Sequence, residues 1–253
     1  MELKTKNREV LLARIIGLLL TDGSLWQIKK TNVWCVSFTS NSDELIEEFE
    51  KLSLELFEIK FKRRPYRGAI ELKRSINRRF AEELISYTPT YRTLIKEGKE
   101  TEAKIPEFIK NNPELAKEFL KYAFTGDGTI TLQIGKANYG YRFDRNIRIF
   151  CEHSSLRKQY FELLSELGYK PTMLKDGVLL RKPENVKKFS NEIGFVEGVK
   201  ISGKGLWKGI TKSDLLRFSA NSYCLKPKEL GKTKSDIHAN LVSLILKSGD
   251  QMI

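Results

Sequence analysis

The sequence predicts an α+β protein built from two copies of one αββαββα plan related by a pseudo-twofold axis, and three observations carry that expectation. Two apolar segments, "IIGLLLTDG" at 15–23 and "LKYAFTGDG" at 120–128, each end in Asp-Gly. Each is followed by the same succession of strand-like and helix-like patterns. The two aspartates, Asp22 and Asp127, are 105 residues apart, far too long a period for a solenoid and suited to a pair of half-sized units. The halves are read as 1–110 and 111–253, the second carrying a C-terminal extension. A chain of 253 residues can bury its own core, so a monomer is expected.

In the first copy, the apolar run over 8–22 predicts a buried helix, and alternating patterns predict strands over 24–30 and 33–39. Residues 43–56 form a helical pattern with Leu45, Ile46, Phe49 and Leu52 inward, and seven acidic residues against one Lys lie between Asp43 and Glu58. That face belongs in water, away from any polyanion. A hairpin over 59–74 turns between Pro65 and Gly68, and a helix follows over 76–86. The stretch "KFKRRPYRGAIELKRSINRR" (60–79) carries nine basic residues and the single acid Glu71.

The second copy repeats the order. Asn112 and Pro113 supply an N-cap and first helical position for a helix over 113–127. Strands over 129–135 and 145–150, a helix over 154–167 closed by Gly168, a hairpin over 170–180 turning at Asp176-Gly177, and a helix over 183–193 complete it. The segment between the strands, "KANYGYRFDR" (136–145), is read as a long basic, aromatic loop. Gly23 and Gly128 are expected to adopt left-handed conformations that cap the two apolar helices.

Composition bounds the chemistry. A formal charge of +13 favours a polyanionic partner, because neutralised phosphates release condensed counterions; nucleic acid leads over an anionic membrane surface. No stretch approaches the ~20 apolar residues of a membrane span, and the N-terminus lacks a targeting segment, so a soluble intracellular protein is expected. Three well-separated cysteines argue against a disulfide framework or zinc site, and two histidines exclude nuclease chemistry built on several. The chemistry must rest on carboxylates and lysines.

The two Asp-Gly segments, with this spacing and these sequels, resemble the signature helices of a single-chain LAGLIDADG homing endonuclease, over about residues 8–200. The resemblance implies paired central helices, antiparallel sheets forming a DNA-binding saddle, and a metal-dependent double-strand break in a long target. It implies that Asp22 and Asp127 are catalytic and hold Mg²⁺ or Mn²⁺, with Ca²⁺ binding without supporting cleavage. The physical basis is direct: two like charges at short range, each at a helix end already negative, need a cation between them. The resemblance also places a lysine near the metal, for which Lys200 and Lys96 are the nearest matches. Tyr122 stands where the second motif usually has its interface Gly, which predicts an asymmetric helix pair, and Leu20 and Thr125 stand at a variable position that is not a metal ligand.

Alternation along the strands nominates the DNA-facing side chains. In the second copy these are Thr129, Thr131, Gln133 and Arg148, with Arg142 in the loop. In the first they are Gln27 and Lys29, opposite Trp26 and Ile28, and Lys60, Lys62, Arg63, Arg64 and Arg67 on the hairpin. Double-stranded DNA is the expected partner. An intron-encoded RNA maturase acting on its own intron, or a catalytically inactive DNA-binding regulator of the same fold, would share these features.

Overall fold

The computed structural model describes residues 2–93, 100–138, 140–202 and 205–250. The first copy comprises α1 (Glu2–Thr21), β1 (Gly23–Ile28), β2 (Val33–Ser40), α2 (Asp43–Phe57), β3 (Arg63–Tyr66), β4 (Ala69–Ile76) and α3 (Arg78–Tyr87). After a short helix, α4 (Glu107–Lys110), the second runs through α5 (Pro113–Asp127), β5 (Gly128–Ala137), β6 (Gly140–Phe150), α6 (Ser154–Glu166), β7 (Thr172–Leu174), β8 (Gly177–Leu180) and α7 (Pro183–Glu192). Beyond it lie α8 (Lys212–Asn221) and α9 (Lys234–Asp250). Each copy folds its strands into a four-stranded antiparallel sheet, in the order β1-β2-β4-β3 or β5-β6-β8-β7. The same order in both sheets is the pseudo-twofold relation read from the sequence. Among the described residues no helix is long and apolar enough to cross a membrane.

Helices α1 and α5 pack against each other at the centre. From Leu12 to Leu20, α1 is buried on nearly every side, so its stability comes from packing rather than from an amphipathic stripe. Close approach is allowed by two glycines. A Cβ on Gly17 would lie 2.8 Å from the Phe119 carbonyl oxygen, and one on Gly126 would lie 2.5 Å from Thr21 Oγ1. Thr21 answers Gly126, whereas Tyr122 occupies the place equivalent to Gly17. The pair is therefore asymmetric, as expected: Tyr122 keeps its Cβ against Gly17 at the interface while its hydroxyl reaches out to donate to Glu48 Oε1 of α2 at 2.6 Å. Arg14 of α1 pairs with Glu118 of α5 at 2.7 Å.

The glycine caps are a correction. Neither Gly23 nor Gly128 has positive φ; Gly128 is extended at φ −99°, ψ 163°. Each chain turns straight from helix into strand, so a Cβ on Gly23 would lie 2.6 Å from Leu19 Cα and one on Gly128 2.4 Å from the Phe124 oxygen. Contact with the helix just left, not a left-handed dihedral, requires glycine there. The hairpin turn shows the converse. Arg67 and Gly68 have φ of +51° and +80°, as a two-residue type I′ connection demands, and Pro65 sits in β3, an edge strand where its missing N–H costs no ladder bond.

The segment over 136–145 is not a loop. β5 and β6 continue through it in register, with Lys136 opposite Tyr141 and Ala137 opposite Gly140. The outer reach of this hairpin is backed by the C-terminal extension. Trp207 Nε1 donates to the Leu132 oxygen at 2.8 Å. The buried Arg145 guanidinium donates to the Ser222 oxygen at 2.6 Å and lies 4.5 Å over the Tyr223 ring.

Gly17→Ala should lower the unfolding free energy, read by urea denaturation, by roughly 1–3 kcal/mol, the usual cost of overpacking, because its new methyl meets helix backbone. Gly205→Ala, with nothing within 4 Å of its Cβ, should change stability by less than about 0.5 kcal/mol. Equal effects would contradict the helix contact described.

Candidate functional site

The paired helices end together, and so their terminal carboxylates converge. Asp22 follows the last turn of α1, with its N–H bonded to the Leu18 oxygen at 3.1 Å and its own oxygen accepting from Thr39 N of β2 at 3.1 Å. Asp127 is the last residue of α5. The Asp22 carboxylate lies against the α5 terminus, its Oδ2 3.2 Å from where a Gly126 Cβ would stand. Both side chains are partly buried.

A third charged group joins them from beyond the repeat. Lys212, at the start of α8, donates from Nζ to the Thr125 oxygen at 2.6 Å and the Gly128 oxygen at 2.7 Å. These are carbonyls at the C-terminal end of α5, where a cation is favoured by the dipole. Two of its three N–H groups are thereby used.

The electrostatics follow from burial first. Burial pushes the Asp22 carboxyl up to about 6, opposed by the Lys212 ammonium. Burial and then the Asp22 charge push Asp127 up to about 7, again opposed by Lys212. Burial draws Lys212 down to about 8, while the two aspartates act in the opposite sense. Two partly desolvated carboxylates with one ammonium at the rim make a hard, oxygen-rich, negatively poised place. That donor chemistry fits a divalent cation such as Mg²⁺ or Mn²⁺. No group of three or more His, Cys, Asp or Glu among the described residues is arranged to hold a metal, so a cation held by this pair takes its remaining ligands from water or a bound molecule.

Two clefts flank the pair. One, of about 590 Å³, is lined by Asp22, Ser24, Tyr91, Arg92 and Thr101. The other, of about 230 Å³, is lined by Asp127, Phe150, Cys151, Glu152 and His153. Burial, reinforced by Asp127, pushes the Cys151 thiol up to about 12, so it is neither nucleophile nor thiolate ligand at neutral pH. His153 caps α6, its Nδ1 accepting from Leu156 N at 3.1 Å, and its Nε2 meets the Thr101 oxygen at 2.8 Å.

The lysine expectations change. Lys200 is exposed and lies by Glu44 of α2, whose carboxyl it helps to hold low; Lys212 is the ammonium at the aspartates. Lys96 lies outside the described residues. Sequence reasoning passed over Lys212 because it sits in the extension, among many lysines and distant in the chain from either motif. The one available signal was Thr211-Lys212-Ser213-Asp214, a helix start whose Thr211 hydroxyl accepts from Asp214 N.

The sheets present their outer faces on either side of this centre. In the first, Leu25, Val36, Phe38 and Leu72 point to the core, so Ser24, Trp26 and Ile28 point outward with Ser37 and Lys73 opposite. Gln27 is therefore corrected: it shares the core-side face, and its amide donates to Asn32 in the adjoining turn. The apolar Trp26 misled the alternation; it lies under Lys73 at 5.1 Å and Arg92 at 5.8 Å. Lys29 is exposed at the hairpin turn. Lys60, Lys62 and Arg64 gather with Lys73 around one basic hollow of about 490 Å³. Arg63 is also corrected, since it faces α2 and pairs with Glu50 at 2.7 Å. Arg67 is exposed at the β3–β4 turn, 5.3 Å over Tyr66.

In the second sheet Ile130, Leu132, Ile147 and Ile149 are inward, and Thr129, Thr131 and Gln133 lie outward opposite Arg148, Asn146 and Asp144. Arg148 pairs with Asp176, and Arg142 with Asp144 at 3.1 Å.

Residues 9–97 match the family described as a LAGLIDADG-like domain. No curated protein matches the sequence. Among solved structures, mesophilic variants of the homing endonuclease I-DmoI superpose with TM-score 0.53 at 20% identity, over 74% of this chain and 92% of that chain. A mutant of I-SmaMI gives 0.54 at 15% identity, over 90% of this chain and 97% of that chain. I-DmoI in complex with DNA and Mn gives 0.51 at 20%, covering 74% and 97%. Residues 9–97 thus match a LAGLIDADG-like domain, and the whole chain has the fold of these solved homing endonucleases.

Raised carboxyl pKa values carry a stability consequence whose sign is fixed. The folded, metal-free protein holds protons on this pair that the unfolded chain releases near pH 4, so the pair's contribution is lost as pH rises from about 4 through about 7. In EDTA, the unfolding free energy of the wild type should fall across that window relative to Asp127→Asn, by on the order of 2 kcal/mol. Mg²⁺ should remove the difference. Parallel pH curves for the two proteins would show that the pair is not strained.

Proposed function

We propose that the protein is a site-specific, metal-dependent DNA endonuclease that makes a staggered double-strand break in a long duplex, acting as a monomer. The observation that carries the reading is the convergence of Asp22, Asp127 and Lys212 between two outward-facing sheets. The sheet faces track the grooves, and the ends of α1 and α5 meet the duplex where its two backbones come closest, across the minor groove. Asp22 and Asp127 would hold a divalent cation, which would supply Lewis acidity toward the scissile phosphate and a water of lowered pKa.

The chain's own residues hold and orient. Asp22 and Asp127 contribute one carboxylate from each half, so each strand's phosphate meets an equivalent oxygen donor. Lys212, protonated below about pH 8, is fixed by two carbonyls and keeps one N–H for phosphate or for a water beside it, where it stabilises charge developing in the transition state.

Cleavable sites are recovered by incubating the protein with a random duplex library in Mg²⁺, and one is then cloned in a plasmid. Asp22→Asn and Asp127→Asn should each abolish linearisation, leaving at most nicking, while gel shifts in Ca²⁺ retain binding. Lys212→Met should slow cleavage about 100-fold, in the range expected for loss of one electrostatic donor, with binding within about threefold of wild type. Recovery of bound but never cut duplexes by the wild type would identify a DNA-binding regulator instead.

A further inference from the structure

The two sheet faces are chemically different, and they differ in length. On the first, Lys60, Lys62, Arg64 and Lys73 are exposed, and among the described residues none has a carboxylate within ion-pair distance. The single acid on that face is Glu71. On the second, Arg148 and Arg142 are each already paired, with Asp176 and Asp144. What that face offers freely is amides: Asn146, opposite Thr131, and Gln133, one step further along the same face, have side-chain amides with no hydrogen-bond partner among the described residues.

The lengths diverge from a common start. β1 runs six residues from Gly23, whereas β5 runs ten from the equivalent Gly128. The four additional residues extend the ribbon by ~14 Å at ~3.4 Å per residue, and duplex DNA rises ~3.4 Å per base pair along each strand. The base of the extra length is held rather than free, because Ile134 is buried and Phe143 opposite it packs against the core, with the Arg145 guanidinium 5.3 Å over its ring. A hairpin held in this way keeps its outward residues in a fixed register.

We propose that the halves divide the work of recognition: the first grips phosphates through Lys60, Lys62, Arg64 and Lys73 with little base preference, and the second reads base edges through Gln133 and Asn146 over a half-site ~4 base pairs longer. The proposal rests on the endonuclease reading above. Lysines form point-charge contacts that attract every sequence alike, whereas an amide pairs with adenine bidentately and rejects other bases. Ion pairing of Arg142 and Arg148 lowers the non-specific attraction of the second face, so discrimination there is not swamped by charge.

The test selects bound duplexes from a random library by gel shift in Ca²⁺, without cleavage, for the wild type, Lys62→Ala/Lys73→Ala and Gln133→Ala. The wild-type consensus should extend ~4 positions further on one side of its centre, consistent with the rise per base pair. Lys62→Ala/Lys73→Ala should weaken binding of all duplexes at least tenfold and reduce the log–log salt slope by about 2, with the consensus unchanged. Gln133→Ala should lose preference at one or two positions of the longer arm and weaken the selected site about tenfold, leaving random duplex unaffected. A consensus of equal length on both sides, or loss of base preference in the lysine variant, overturns the division of labour while leaving the endonuclease reading intact. Retention of no duplex by the wild type overturns both.

Discussion

Everything in this molecule depends on bringing two like-charged carboxylates to one point at the ends of two packed helices. The arrangement is unfavourable at each level: the charges repel, the helix dipoles add negative potential, and burial removes solvent. The fold sustains it through apolar packing. α1 is buried from Leu12 to Leu20 with almost no polar break, and Gly17 and Gly126 let the backbones meet. The energy of the helix contact holds the carboxylates in place, and the resulting site is one that a divalent cation stabilises.

Duplication of the αββαββα plan makes such a pair from one kind of unit, because a twofold axis through the helix contact puts equivalent residues together. The symmetry is then broken in several places. Tyr122 replaces the second interface glycine and turns to Glu48. The extension supplies Lys212 at the α5 end and covers the longer β5–β6 hairpin. A single chain can diversify its halves independently, which an assembly of identical copies cannot.

Much of this was legible in the sequence. The period between Asp22 and Asp127, the caps at Asn112 and Pro113, and the acidic α2 beside a basic hairpin located nearly every element, because each is a local signal. What failed depended on contacts between segments distant in the chain. Trp26 reads as core by hydrophobicity, yet it lies outward under Lys73 and Arg92. Arg63 reads as DNA-facing by charge, yet an α2 glutamate takes it. The segment over 136–145 reads as a loop because Gly140 and charged residues interrupt its alternation; buried Arg145 counts as an inward residue only once Ser222 and Tyr223 cover it. Lys212 was invisible for the same reason, its role being defined by two carbonyls more than 80 residues away.

The coupling between the two carboxylates is the claim on which the account stands, and it can be measured without DNA, metal or knowledge of the target. The Asp127 side-chain pKa, followed by ¹³C NMR in metal-free wild type and in Asp22→Asn, reports it directly. The account predicts a wild-type value near 7 that moves clearly toward the ordinary aspartate value of about 4 when the Asp22 charge is removed. An Asp127 value that is unshifted in the wild type, or that stays the same in the variant, would contradict it.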